Sequence, residues 1–255
     1  MMIVYFAAKA YWMNKFGYYI VLLLWLPAAF SCKKDAGHHS NSCKVVYTYD
    51  SVFSSTGTYA SSTRIVYDNE GRIAYSQIRW PTDSATRVFT YRDSSIIVNP
   101  TTDRMSFDTI RLDGKGRPAE IIVSFVGFPS THLTYMYDPA GLLQSSTAGP
   151  TNKTTTTYQY EHGDCVSATS SDGSVTTYTY YTDKPAADVD PIRFGELFNY
   201  GVIITHNAHL TRTIQYGQTI SEYSYTFDNT GKITNVTSRY GAQVNTSKYV
   251  YDCSQ

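Results

Sequence analysis

Charge is scarce in this chain of 255 residues, and what there is cancels. Charged residues make up 16% of it, with 21 Lys plus Arg against 21 Asp plus Glu. A nucleic-acid partner calls for a basic surface that displaces counterions from phosphates, so none is expected. No Gly-x-Ser-x-Gly elbow, P-loop, Cys-x-x-Cys pair or His-Glu-x-x-His pattern occurs. The common sequence marks of acyl transfer, nucleotide hydrolysis, thiol redox chemistry and zinc proteolysis are therefore missing, and no cofactor is expected. Long apolar runs are missing too: the run from Gly17 to Phe30 has 14 residues, short of the roughly 20 that span a bilayer as a helix. Tyrosine and threonine are plentiful instead, at 24 and 32 residues. Both favour strands, and the composition predicts a β protein.

Residues 1–31 hold Lys9 and Lys15 but no acid, then the apolar run, then Ser31-Cys32-Lys33-Lys34-Asp35. A basic start, a short apolar middle and small residues before a cut make a secretory signal. The end of the segment resembles a bacterial lipoprotein signal, in which the thiol of Cys32 receives the lipid. The polar stretch 33–42, with His38 and His39, lacks periodicity and reads as a tether. Three segments follow: a signal at 1–31, a lipidated Cys and tether at 32–42, and one domain at 43–255.

That domain is a degenerate repeat. One pattern recurs: alternating aromatics, an acid, two residues, Gly, then a basic residue. It stands at Tyr67-Asp68-Asn69-Glu70-Gly71-Arg72, at Leu112-Asp113 with Gly116-Arg117, at Tyr137-Asp138 with Gly141, and at Phe227-Asp228 with Gly231-Lys232. Weaker copies end at Tyr49, Tyr91, Tyr160, Tyr181 and Tyr251. Successive copies lie 18 to 25 residues apart, except for one interval of 46 between Tyr181 and Phe227, where a decayed copy is expected near His206-Asn207-Ala208. The period fits a hairpin. Tyr223, Tyr225 and Phe227 alternate with Glu222, Ser224 and Thr226, which puts rings on one face of a strand and small polar groups on the other. Asp bonds its own backbone two residues on, and Gly supplies the positive φ of the turn. One acid per turn is far too few oxygens for calcium, and no metal site is expected.

These residues resemble the Tyr-Asp repeats of bacterial surface shells and, more closely, a family of Bacteroidota lipoproteins over residues 43–253. The resemblance implies a porin-like antiparallel barrel and carries no catalytic residue with it. The residues agree: about nine hairpins make 16–18 strands, and a meander that long must close, curl or split to be rid of its edges. The non-aromatic face is Thr, Ser, Glu and Arg, without the apolar band of an inserted barrel. The expected fold is thus all-β, an up-and-down meander closed into a water-soluble barrel. Its tyrosines point inward and narrow the lumen.

Few other residues suggest chemistry. Asp188 and Asp190 flank Val189 and read as a solvated loop before Pro191, with a paired-carboxylate hydrolase as the alternative. His206 and His209 would face opposite ways on a strand. Asn152, Asn235 and Asn245 begin Asn-x-Ser/Thr triplets of little meaning in a bacterium. Asp50-Ser51-Val52, Asp83-Ser84-Ala85 and Asp108-Thr109-Ile110 resemble the O-glycosylation acceptor of Bacteroidota, which makes Ser51, Ser84 and Thr109 candidates. Cys43 opens the first strand and Cys253 follows the last. In a closed meander of even strand count these two are neighbours, and an oxidising compartment should join them; Cys165 should stay free. The expected role is a lipid-anchored protein of the outer membrane that binds or displays a glycan or an envelope protein and catalyses nothing. A pore is the remaining alternative.

Overall fold

The computed structural model describes residues 43–55, 57–100, 107–124, 129–149 and 153–254. The signal segment, Cys32, His38, His39 and Asn152 lie outside the described residues. Sixteen strands and one helix make up the rest. The strands are β1 (Lys44–Ser54), β2 (Gly57–Tyr67), β3 (Ile73–Arg79), β4 (Ser84–Arg92), β5 (Ser95–Pro100), β6 (Phe107–Leu112), β7 (Pro118–Ser124) and β8 (Thr131–Tyr137). They continue as β9 (Leu143–Ala148), β10 (Thr154–Glu161), β11 (Asp164–Ser170), β12 (Val175–Pro185), β13 (His209–Tyr216), β14 (Thr219–Phe227), β15 (Ile233–Tyr240) and β16 (Gln243–Asp252). Each strand pairs with the next, and β16 closes on β1 in antiparallel register from Lys44↔Asp252 to Phe53↔Val244. The result is an up-and-down barrel with no free edge.

Odd strands leave one rim and even strands return to it. The Asp-x-x-Gly turns, both ends of the domain and the Cys43–Cys253 disulfide all lie on that rim, here the motif rim. Short turns at 80–83, 171–174, 217–218 and 241–242 lie on the far rim. The motif turns share one geometry. Asp68 Oδ1 accepts the N–H of Glu70 and of Arg72, both at 2.9 Å, and the Gly71 N–H returns to the Asp68 carbonyl at 3.0 Å. Asp113, Asp138 and Asp228 repeat the bond to the fourth residue on. Gly71 and Gly116 sit at φ 80° and 77°, which a side chain would strain.

Past these turns the outgoing strand carries one extra residue. Val66 pairs with Tyr75 but Tyr67 pairs with Ile73, so Ala74 has no opposite. The same step recurs opposite Leu112, Tyr137, Tyr160 and Phe227. Bulges at a rim sharpen the twist that a closing sheet needs.

The tyrosine before the turn then fastens its own hairpin. Tyr67 Oη donates to the Val45 carbonyl, Tyr91 to Ile73, Tyr180 to Cys165, Tyr225 to Thr211 and Tyr251 to Ile233, at 2.7–3.2 Å. Each bond runs from a returning strand to the strand just before it. The cation that opens the hairpin stacks on that ring: Arg72 lies 4.3 Å from the centre of Tyr91, Arg117 4.4 Å from Tyr137 and Lys44 5.1 Å from Tyr67. Arg117 Nε also donates to Asp113 Oδ2, and hydrogen bonds from the Arg117 side chain and backbone hold that carboxyl below its usual range.

The core fills the half of the barrel nearest the motif rim. Ile65, Ile73, Ile110, Ile121, Leu143 and Leu210 are all essentially inaccessible, and each contributes on the order of 1.5–3 kcal/mol by burial. The long interval between Tyr181 and Phe227 is not a decayed hairpin. It holds helix α1 (Pro191–Tyr200) within an insert at 186–208. Eight hairpins rather than nine account for 16 strands.

Candidate functional site: the barrel lumen

The insert leaves β12 at the motif rim and folds into the barrel. Asp190 caps α1 by accepting the Ile192 N–H, Pro191 stands in the first turn, and Gly201 ends the helix at φ 71° with its N–H on the Leu197 carbonyl. A Cβ at Gly201 would stand 2.7 Å from Tyr91 Oη and 2.9 Å from the Phe89 ring, so the helix end lies directly against β4. Phe194 meets Tyr249 of β16 edge-on at 5.5 Å, and Arg87 of β4 lies 5.1 Å over Phe198. Beyond the helix, Asn207 Oδ1 accepts the Cys165 N–H of β11. The insert therefore touches walls on several sides, and Val189 and Ile204 join the core cluster. Rings alone do not narrow the lumen, as the alternation of residues predicts; a packed segment crosses it.

This placement corrects the reading of Asp188 and Asp190 as a solvated pair. Asp190 is fully buried. Its Oδ1 accepts from Ile192 N and Thr211 Oγ1, and its Oδ2 from Thr211 N and Tyr225 Oη. Apart from the cap on Ile192, these bonds tie the insert to β13 and β14. Asp188 turns away to Arg193 at 3.3 Å with its side chain largely exposed. The two carboxylates do not converge, which takes the paired-carboxylate site away from a hydrolase reading.

Glu196 does the same work further along. It accepts the N–H groups of Ile204 and Thr205 at 2.7 and 2.8 Å, folding the descending stretch back on α1. Burial pushes its carboxyl up to about 7, against the opposing pull of those hydrogen bonds. Burial also lowers Arg87, with Asp108 and Tyr200 acting the other way. His206 lies in the insert, not on a strand; burial and then Arg193 and Arg117 depress its imidazole. His209 opens β13 and binds Asp164 of β11 through its ring at 2.7 Å and its N–H at 2.9 Å. Among the described residues no group of three His, Cys, Asp or Glu could hold a metal. Cys165 is free and buried, and burial pushes its thiol up to about 12.

Toward the far rim the inner wall changes. Register places Tyr59, Tyr216 and Tyr240 on the inner face, in line with Val52, Thr176 and Ser221, yet they are 61%, 44% and 51% exposed. No residue of α1 is fully buried. Among the described residues the lumen is thus packed at one end and open at the other. On the outer face, Thr179, Arg212, Thr213, Glu222 and Arg239 line a shallow groove of about 510 Å³ across β12–β15. Ser51 and Thr109 lie within strands and are half-buried, Ser84 opens β4 and is exposed, Asn235 lies on β15, and Asn245 faces inward on β16.

Neither α1 nor the far-rim tyrosines stand out by strand signals. Asp190-Pro191 followed by Gly201 ten residues later is a helix start and stop, with Phe194, Leu197 and Phe198 between them at helical spacing. The far-rim tyrosines lack an adjoining Asp, and only the register reveals their face.

No protein-family model matches the chain, and no curated protein sequence does. Among solved structures it is similar to the crystal structure of a porin-like protein from Bacteroides uniformis, with a TM-score of 0.64 and 14% identity over 82% of this chain and 98% of that one. At that identity the likeness concerns the fold, which is a 16-stranded porin-like barrel.

Proposed function

We propose that this is a lipid-anchored envelope protein of the outer membrane whose barrel stands in water and binds or displays a ligand without catalysis. The observation that carries the reading is the polarity of the barrel along its axis. Both ends of the barrel domain sit at the motif rim, joined through Cys43 and Cys253. Ten residues separate Cys32 from Cys43, at most about 35 Å of chain. An anchor on Cys32 would hold the packed rim toward the membrane and turn the open mouth away. The outward positions support an aqueous setting: Thr179, Thr213, Glu222 and Lys248 face out where a spanning barrel needs an apolar band. The insert across the lumen weighs against the pore alternative, as the structural role of Asp190 weighs against the hydrolase.

Labelling with a palmitate analogue tests the anchor. Label is expected on the protein and is expected to vanish in Cys32→Ala, with that variant released from the membrane fraction. Equal labelling of both proteins would sink the anchor. Steady conductance across a planar bilayer would favour the pore instead.

A further inference from the structure

We propose that the inner wall near the far rim is a binding site for a neutral oligosaccharide, with Tyr59 and Tyr240 as its stacking platforms. The inference rests on the binding reading above and names the ligand class. Six adjacent strands, β13 through β16 with β1 and β2, form this sector of the wall. Ser221 pairs with Tyr240, Tyr240 with Gln243, Ser238 with Asn245, Asn245 with Val52, and Val52 with Tyr59. The rings are therefore set on a diagonal, one inward-facing row apart, about 7 Å along the strands. They alternate across the wall with hydroxyls and amides.

The polar groups between the rings are already oriented. Gln243 Nε2 donates to Asn245 Oδ1 at 2.8 Å, and Asn245 Nδ2 donates to Ser238 Oγ at 3.2 Å. Each of these amides has a second N–H, and Gln243 has its carbonyl oxygen, to offer to sugar hydroxyls. A pyranose ring presents an apolar C–H face and an equatorial belt of hydroxyls. Exposed tyrosine faces beside fixed planar amides match both, and such a site gains affinity because little remains to be ordered on binding.

Charge decides the class. The inward positions of this sector in the far half carry no Lys or Arg: Arg239, Lys248 and Arg64 belong to the outer face, and Arg212, at the β13 bulge nearer the motif rim, stacks on Tyr181. The acid that does face inward, Asp50, is engaged by Ser247 Oγ at 2.5 Å and Thr48 Oγ1 at 3.1 Å. A phosphate, sulfate or uronate would find no counter-charge here. An extended peptide would find no open strand edge to pair with.

The test uses the purified full chain in detergent on an array of neutral and anionic oligosaccharides, with titration calorimetry on the best neutral binder. Binding to neutral glycans is expected. Tyr59→Ala with Tyr240→Ala is expected to weaken it by about tenfold or more. Tyr49→Ala is the control, since Tyr49 is also 51% exposed but faces outward opposite Lys248. It should leave affinity unchanged. Tyr240→Trp keeps a platform, so it should retain binding, and its emission should shift when the sugar is added. No bound neutral glycan, a preference for anionic ones, or equal losses in Tyr49→Ala and the double variant would each overturn the assignment. Cys32→Ala protein that stays with the membrane yet binds the array as before would refute the anchor and uphold the lumen site.

Discussion

The two ends of the barrel use the same residue type in opposite ways. At the motif rim Tyr67, Tyr91, Tyr180, Tyr225 and Tyr251 have their hydroxyls on neighbouring carbonyls, and in several hairpins a cation stacks on the tyrosine ring. Burial pushes the hydroxyls of Tyr91 and Tyr251 up to about 12. At the far rim Tyr59 and Tyr240 stand half or more in solvent on the same inner face. Inward direction alone therefore does not make a core. Packing comes from the insert, which supplies Val189, Ile204 and α1 to one end only. The motif end carries stability, and the far end is left for other uses.

Perturbations should break this contrast unequally. The largest effect is expected from Cys43→Ser with Cys253→Ser. The bond spans a sequence separation of 210, and chain entropy assigns roughly 5 kcal/mol to such a loop; urea unfolding under non-reducing conditions measures it. A loss under about 1 kcal/mol would mean that strand pairing alone holds β1 to β16. Asp190→Ala comes next. It leaves the Thr211 N–H and the Tyr225 hydroxyl without their carboxylate, at about 3 kcal/mol. Hydrogen exchange should rise first in 186–208, and a uniform rise over all strands would contradict the separate role of the insert.

Glu196 sharpens the comparison by pH. Its folded carboxyl lies near 7 against an ordinary 4.5, so between those values the folded state holds more proton than the unfolded one. Stability should be greatest below about 4.5, fall as pH rises toward 7, and level off above it, by on the order of 1–3 kcal/mol in all. Glu196→Gln should flatten that slope while keeping an acceptor for Ile204 and Thr205; an unchanged slope would assign it to another group. The smallest effect belongs to the far rim, where Tyr59→Ala and Tyr240→Ala should each change stability by no more than about 0.5 kcal/mol. A loss comparable to that of Asp190→Ala would show the far half to be core as well.

Much of this is legible in the residues. Alternation at Tyr223–Phe227 and the Asp68, Asp113, Asp138 and Asp228 turns suffice for strands, hairpins and closure, because each is a local rule. The insert is harder to read. A search for strand copies turns the interval of 46 residues into a lost hairpin, although Asp190-Pro191 and Gly201 bracket a helix there. Asp190 looks like a loop acid because its partners, Thr211 and Tyr225, lie 21 and 35 residues away. The far-rim site is invisible for a related reason: Tyr59, Tyr240 and Asn245 meet only through closure of the sheet.

The tyrosine bond and the stacked cation lie within one hairpin. Lys44, the Val45 carbonyl and Tyr67 belong to β1 and β2; the Ile73 carbonyl and Tyr91 belong to β3 and β4, with Arg72 immediately before β3. A duplicated stretch of this length brings its own acceptor, ring and cation, and needs only strand pairing from its neighbours. Such a wall lengthens or shortens two strands at a time without redesign of what remains. Its girth is a heritable variable that unequal crossing-over can tune.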